Sequence, residues 1–305
     1  MKQKLHKELQ ALLDFYHRQR QNPPDVFTYA AGIIDKPGFF TMADLQRHLN
    51  NPLLQPEWVH VKLDGKRIEL EKTCFYKTVQ GRKLHFMDKE VLGDAISKGA
   101  AVVLEGIDIL EPGINEFAAR LDDSLPCVLS NSEVFLSQQD SEAYEGHCDA
   151  DDVLVVQLAG KKTWQLFQPQ QRRYADIQEL NDQQLGPVME EIAMRPGDAL
   201  YVRAGVPHRC ITSAPFSLHM SFDLVDNTPT TAEISGEANN QYKHACELPY
   251  ASTTSVVDRY VSILKSEDFL SALQQATEFK RTEIARFRQM LGRSSAVRSL
   301  GKFNQ

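Results

Sequence analysis

The sequence predicts a mainly β fold, a sandwich or barrel, with helices on either side of it. Short runs with strand character, separated by turn residues, crowd the stretch from about Cys127 to Val225. Apolar residues at helical spacing are concentrated before and after that block. Within it, strands do not alternate with long helical segments as they do in a parallel α/β fold.

From the start of the chain, Leu5, Leu9, Leu12, Leu13 and Tyr16 share one helical face, and Pro23-Pro24 ends that helix. A second helix starts at Thr41, with Asp44 completing a capping-box pattern and Met42, Leu45 and Leu49 as its apolar members. Trp58–Leu63 and Lys66–Leu70 read as hairpin strands around Asp64-Gly65, which supplies the positive φ angles of a tight turn. A helix near Val91–Ser97, a strand at Ala101–Leu104 and a helix near Ile114–Leu121 follow. The expected strands of the β block are Val128–Leu136, Val153–Leu158, Thr163–Phe167, Glu191–Met194, Ala199–Arg203, Cys210–Ser213 and Ser217–Leu224. Residues 226–241 are polar and rich in Thr, Asn and Gly, which predicts a loop or linker. Helices then return, one from Ser252 or Thr253 to Lys265, and one capped by Ser266 and running to about Leu291. Phe269, Leu273, Ala276, Ile284, Phe287 and Leu291 line one face of the latter, a stripe that serves either as core or as a dimerisation surface.

A chain of 305 residues with 42% hydrophobic and 25% charged residues is an ordinary globular composition, enough for one large domain with appendages or for two. Its net charge of −7 offers no long-range attraction to nucleic acid or to an anionic membrane, so neither is an expected partner. No apolar stretch follows the charged N-terminal residues, and no window approaches the roughly 18 apolar residues of a membrane span. Five scattered cysteines without a C-x-x-C pair argue against a disulfide framework and fit a reducing cytoplasm. Cys148 and Cys210 flank candidate ligands, and each is either a thiol ligand or a small buried hydrophobe.

The chemistry centres on His147-Cys148-Asp149 and on His208, which ends the run Arg195-Pro-Gly-Asp-Ala-Leu-Tyr-Val-Arg-Ala-Gly-Val-Pro-His. Two imidazoles and a carboxylate are the protein ligands of the facial triad that holds non-haem Fe(II) and leaves other positions open. On a strand, His147 and Asp149 project to one face and Cys148 to the other, and His208 must arrive from a second strand. The alternative is a surface His–Asp pair and an unrelated core histidine. In Lys161–Phe167, alternation places Lys162 with Trp164 and Leu166 on the apolar side. A lysine there either meets an anion or sits at the strand's edge and reaches back to water.

Pro196-Gly-Asp198, the strand after it, Ala204-Gly205 and Pro207-His208 together resemble the second metal motif of the cupins. The His-x-Asp pair makes the chain similar to the jumonji-C cupin oxygenases, and to bacterial ribosomal-oxygenase-like hydroxylases within them. Phe39–Pro56, Gly99–Gly106 and the helix with Phe117 and Leu121 extend the resemblance over most of residues 25–225. It implies a double-stranded β-helix (jelly-roll, cupin) core with N-terminal α/β elements and a C-terminal helical segment. The implied plan is an N-terminal helix (1–24), a catalytic domain (25–225), a loop or linker (226–241) and a C-terminal helical region (242–305) in which a homodimer contact is expected.

The same resemblance implies Fe(II) held by His147, Asp149 and His208, with 2-oxoglutarate and O2 as cosubstrates and succinate and CO2 as co-products. In the family a Lys or Arg thirteen residues after the metal-binding Asp pairs with the far carboxylate of 2-oxoglutarate, and here that residue is Lys162. Tyr144 and Ser221 are its expected helpers, and Phe135, Trp164, Arg203 and His219 are candidates for substrate or supporting contacts. His219 is equally readable as an ordinary structural histidine.

Three positions depart from the family pattern. Arg203 replaces the cupin proline, Glu133-Val-Phe135 stands where ribosomal oxygenases carry Asn-Val-Tyr, and Tyr144 stands where a related hydroxylase has a cosubstrate-binding threonine. The expected function is hydroxylation of a protein or peptide side chain. The alternatives are the same chemistry on a free amino acid or small metabolite, a non-oxygenase metal-binding cupin, and an RNA hydroxylase.

Overall fold

The computed structural model describes residues 2–21, 26–63, 66–124, 127–138, 146–169, 178–226, 234, 236, 258 and 261–272. The first half of the chain runs through α1 (Lys2–Gln21), β1 (Phe27–Ala30), α2 (Met42–Leu49), β2 (Val59–Leu63), β3 (Lys66–Arg67), α3 (Leu70–Thr73), β4 (Cys74–Val79), β5 (Arg82–Met87), α4 (Lys89–Ser97), β6 (Ala101–Leu104), α5 (Ile107–Leu110) and α6 (Pro112–Ser124). The second half adds β7 (Cys127–Gln138), β8 (His147–Cys148), β9 (Asp152–Gly160), β10 (Lys162–Phe167), β11 (Gln178–Glu179), α7 (Asp182–Leu185), β12 (Val188–Met194), β13 (Ala199–Val202), β14 (His208–Ile211) and β15 (Phe216–Asp226).

Two sheets carry the architecture. One has eight strands in the order β1-β13-β9-β15-β7-β6-β2-β3, and the other has five in the order β11-β8-β14-β10-β12. Chain neighbours β9 and β10 lie in different sheets, as do β12 and β13, so the chain passes repeatedly from one sheet to the other. That is the jelly-roll, double-stranded β-helix fold expected from the sequence.

Between the sheets, Val153, Val155, Leu200 and Val202 meet Trp164, Leu166, Ile192 and Met194 in one buried cluster. The large sheet's other face is also covered. Tyr201 meets Tyr16 of α1 at 5.8 Å between rings, and Phe222 meets Phe117 of α6 edge-on at 5.0 Å. On β15 the buried Leu218, Met220, Phe222 and Leu224 therefore leave the alternate set, Ser217, His219, Ser221 and Asp223, for the inter-sheet side.

Close backbone approaches fix two turns. Gly160 has φ +64, and a Cβ there would lie 2.0 Å from the Phe216 carbonyl oxygen. Gly197 has φ +93, and a Cβ would lie 1.8 Å from the Ile34 oxygen. The first turn hands the chain from β9 to β10 and so sets the register of Lys162; the second precedes β13.

The Thr41–Asp44 capping box forms as expected, with both reciprocal bonds present. Strand β6 has the bounds the sequence predicts. The strand expected over 66–70 stops at Arg67; Ile68 N–H still bonds the Val61 carbonyl in the same register, and Leu70 opens α3. The strand expected to begin at Cys210 begins at His208. Strands β1, β4, β5 and β11 were not anticipated.

The chain divides into two compact units, Met1–Ala118 with Leu129–Val225, and Ala119–Val128 with Asp226–Gln305. In the second, residues 261–264 and 267–272 are helical, and the Ser266 hydroxyl accepts from Phe269 N–H at 3.2 Å, the cap expected there. Pro23-Pro24, the Asp64-Gly65 turn, nearly all of the 226–241 segment and most of 242–305 lie outside the described residues.

Candidate metal centre

The two short strands β8 and β14 pair antiparallel, with His147 directly opposite His208. Their rings approach to 4.3 Å, and Asp149 follows β8 on the side of His147. His147 Nε2 lies 3.6 Å from one Asp149 oxygen and His208 Nε2 lies 3.4 Å from the other. The ligating atoms of all three fall within 4.8 Å of one another. A backbone bond from Gly205 N–H to the Asp149 carbonyl, 2.8 Å, ties the turn before His208 to the loop after β8. Asp152 braces the same turn, accepting from Ala204 N–H at 2.8 Å, Arg203 Nε at 3.3 Å and the Tyr201 hydroxyl.

The donor set suits a divalent ion. Burial first, and then the neighbouring His147, push His208 down to about 4, so at neutral pH it is uncharged and able to act as a ligand. Its Nδ1 lies 3.0 Å from the Val206 carbonyl oxygen. That contact places the ring proton on Nδ1 and leaves the Nε2 lone pair facing Asp149. Cys148 takes no part. The pleat turns it into a cluster with Phe167, Leu180 and Leu185, where burial pushes its thiol up to about 11.

The triad opens onto a cavity between the sheets. From β10, Lys162 and Trp164 line it; Lys162 is 1% exposed, so it does not reach solvent. Its ammonium donates to Ser137 Oγ at 3.0 Å and to Thr212 Oγ1 at 2.9 Å. From β7 and β15, Phe135 and His219 stack 4.7 Å apart and nearly parallel, and Ser221 lies beyond them. Trp164 packs against His208, 5.2 Å between rings.

Of the ten residues predicted for the site, eight line this cavity: His147, Asp149, His208, Lys162, Ser221, Phe135, Trp164 and His219. Arg203 is not among them; it is engaged with Asp152 at the end of β13. Tyr144 lies outside the described residues.

Sequence reasoning missed Ser137 and Thr212, whose role follows from register alone, and the wall residues Asp223 and Val153. It noted Glu133 only as a departure from pattern. Asp223 was legible: on β15 the polar set alternates with an apolar set that buries against helices, which points polar groups inward.

A jelly roll that gathers two histidines and a carboxylate at a pair of short strands forms a candidate metal site. Residues 108–233 match the family model described as JmjC domain. The bifunctional lysine-specific demethylase and histidyl-hydroxylase NO66 of Aedes aegypti is 26% identical over 118 residues, covering 37% of this chain and 18% of that protein. Ribosomal oxygenase 2 of Mus musculus is 26% identical over 113 residues, covering 35% and 24%. This chain thus spans less than a quarter of the length of these curated relatives. The fold is also that of YcfD, a ribosomal oxygenase from Escherichia coli, in complex with cobalt and 2-oxoglutarate; the TM-score is 0.57 at 11% identity, over 86% of this chain and 70% of that one.

Proposed function

We propose that the protein is an Fe(II)- and 2-oxoglutarate-dependent dioxygenase that hydroxylates a protein or peptide side chain, releasing succinate and CO2. The observation that carries the reading is Lys162, an ammonium buried in the same cavity as the His147–Asp149–His208 set. A metal-binding cupin without oxygenase chemistry has no need of a buried cation beside its ligands, whereas a dicarboxylate that chelates the metal at one end presents its other carboxylate to such a group. The names of the relatives, among them histidyl-hydroxylase and ribosomal oxygenase, support the same reaction class and a protein substrate.

In this reading His147, Asp149 and His208 hold Fe(II), which when bound supplies the activation of dioxygen. Lys162 receives the far carboxylate of 2-oxoglutarate, while Ser137 and Thr212 fix its ammonium in place. Trp164 and the Phe135–His219 stack wall off water around the reacting atoms. The free thiols of Cys74, Cys148 and Cys210 support a cytoplasmic location, and among the described residues no helix is long and apolar enough to cross a membrane. A homodimer contact through residues 242–305 remains part of the proposal.

Calorimetric titration with 2-oxoglutarate under anaerobic Fe(II) tests the reading. Binding is expected only with metal present, and His147→Ala or Asp149→Ala should abolish it. Lys162→Ala should weaken it by roughly tenfold to a hundredfold, the worth of a charge-assisted hydrogen bond. Unchanged affinity in Lys162→Ala would remove the cosubstrate site from this account.

A further inference from the structure

Strands β4 and β5 form a sheet of their own, and among the described residues neither outer edge is paired. Only the base is held. Met87 is buried, Asp88 N–H donates to the Thr73 carbonyl at 2.8 Å, and His85 lies 3.6 Å from Glu57. From there the strands stay in register, from Cys74 opposite Met87 to Val79 opposite Arg82. The turn at Gln80-Gly81, with both φ angles positive, closes them without slack. A two-stranded ribbon is marginal in water, so one that also displays apolar residues gains from a covering partner.

Alternation gives the ribbon two faces. Tyr76, Thr78, Lys83 and His85 share one, and there the Lys83 ammonium already sits 4.1 Å over the Tyr76 ring. The other presents three rungs: Phe75 opposite Phe86, Lys77 opposite Leu84, and Val79 opposite Arg82. The two Phe rings stack 5.7 Å apart, and Phe75, Leu84 and Val79 are 53%, 42% and 41% exposed. The result is an apolar strip about 13 Å long, with one cation at its middle and another at its tip.

The charge of this segment opposes that of the whole chain. Acidic residues outnumber Lys and Arg by 41 to 34 overall, yet residues 74–87 hold Lys77, Arg82 and Lys83 and no Asp or Glu. Among the described residues neither Lys77 nor Arg82 has an ion-pair partner, and both are exposed. The acid nearest the ribbon, Glu57, meets His85 on the opposite face.

We propose that the face carrying Phe75, Lys77 and Arg82 is a docking site for an acidic segment of another polypeptide. Its apolar side chains would rest on Phe75, Phe86 and Leu84, and its carboxylates would meet Lys77 and Arg82. An extended acidic segment that alternates charged and apolar residues has the same repeat as the rungs, about 7 Å between side chains on one face. Nucleic acid fits less well, because the aliphatic Val79 and Leu84 give a base no ring to stack on and the chain's net charge of −7 repels phosphates at range. A bilayer would meet the tip first, and there Gln80, Gly81 and Arg82 are polar while the rings lie at the base. None of these residues lines the inter-sheet cavity, so the docking site stands independently of the metal chemistry.

The test is fluorescence anisotropy on the full chain at low and at physiological salt. The probes are a labelled octapeptide alternating Glu with Val and Phe, its counterpart with Lys for Glu, and a labelled uridine dodecamer; phosphatidylserine vesicles serve in a parallel sedimentation assay. The acidic peptide is expected to bind on the order of tenfold more tightly than the basic one, with the difference shrinking as salt rises. Lys77→Glu combined with Arg82→Glu should reverse that preference, so that the basic peptide binds better; this outcome also shows that the ribbon has kept its shape. Phe75→Ala should weaken the acidic peptide by roughly five- to tenfold. Equal binding of the two peptides, loss of both in the charge-reversed variant, or no binding of any probe would overturn the proposal. Tighter capture of the uridine oligomer or of the vesicles than of the acidic peptide would overturn it in favour of those partners.

Discussion

Lys162 shows how much one side chain can determine. An ammonium at 1% exposure needs every donor met, and Ser137 and Thr212 supply oxygens on two sides. Each hydroxyl restricts where the charge points, so their removal should act on the cosubstrate rather than on the metal. Ser137→Ala and Thr212→Val are each expected to raise the KM for 2-oxoglutarate by roughly three- to tenfold, with metal affinity unchanged. Steady-state kinetics beside a metal titration separates the two effects. The lysine itself was legible, because strand alternation put it on the apolar side. Its two hydroxyl partners were not, since Ser and Thr leave no spacing signature and meet Lys162 only through strand register.

At the level of elements, the turns that aim β10 and β13 are the sensitive points. Gly160→Ala and Gly197→Ala combine a positive φ with a Cβ pressed into backbone, and each should cost about 2–4 kcal/mol in chemical denaturation. Gly93, inside α4 with open space around it, should behave oppositely: Gly93→Ala is expected to stabilise by about 0.5–1 kcal/mol. Thr41→Ala breaks the capping box of α2 and should cost about 1 kcal/mol. The sequence was most readable where burial leaves a pattern. Ala101–Leu104, buried on both faces, reads as an apolar run and has the bounds expected. The β4–β5 hairpin has no buried face along most of its length, so it carries no in–out rhythm. Its turn, Gln80-Gly81 with both φ angles positive, was the one available clue. Strand β8 is two residues long, too short for periodicity, and was found only because its side chains are chemically distinctive.

Across the whole molecule, the acid-lined cavity links stability to pH. Glu133 has a folded-state value above its ordinary one, so it costs nothing below about 4.5, where it is protonated in both states. As pH rises towards about 8 the unfolded chain ionises more readily than the folded one, and stability is lost across that window. The Glu133→Gln variant, free of this penalty, should therefore melt at a higher temperature than wild type at pH 7–8, with the difference shrinking towards pH 4.5. A series of thermal melts on metal-free protein checks the sign.

The pleat of β8 has one more consequence. On the proposed dioxygenase reading, a site that activates dioxygen endangers its own reducing groups, and sulfur is the most easily oxidised of them. Cys148 stands between His147 and Asp149 in the sequence, yet its sulfur is buried away from them beside Phe167, Leu180 and Leu185. Cys210, by contrast, lines the cavity. When turnover runs without substrate, peptide mapping should find self-inflicted sulfinic acid on Cys210 while Cys148 survives as a thiol. A half-turn of backbone thus works as a firebreak.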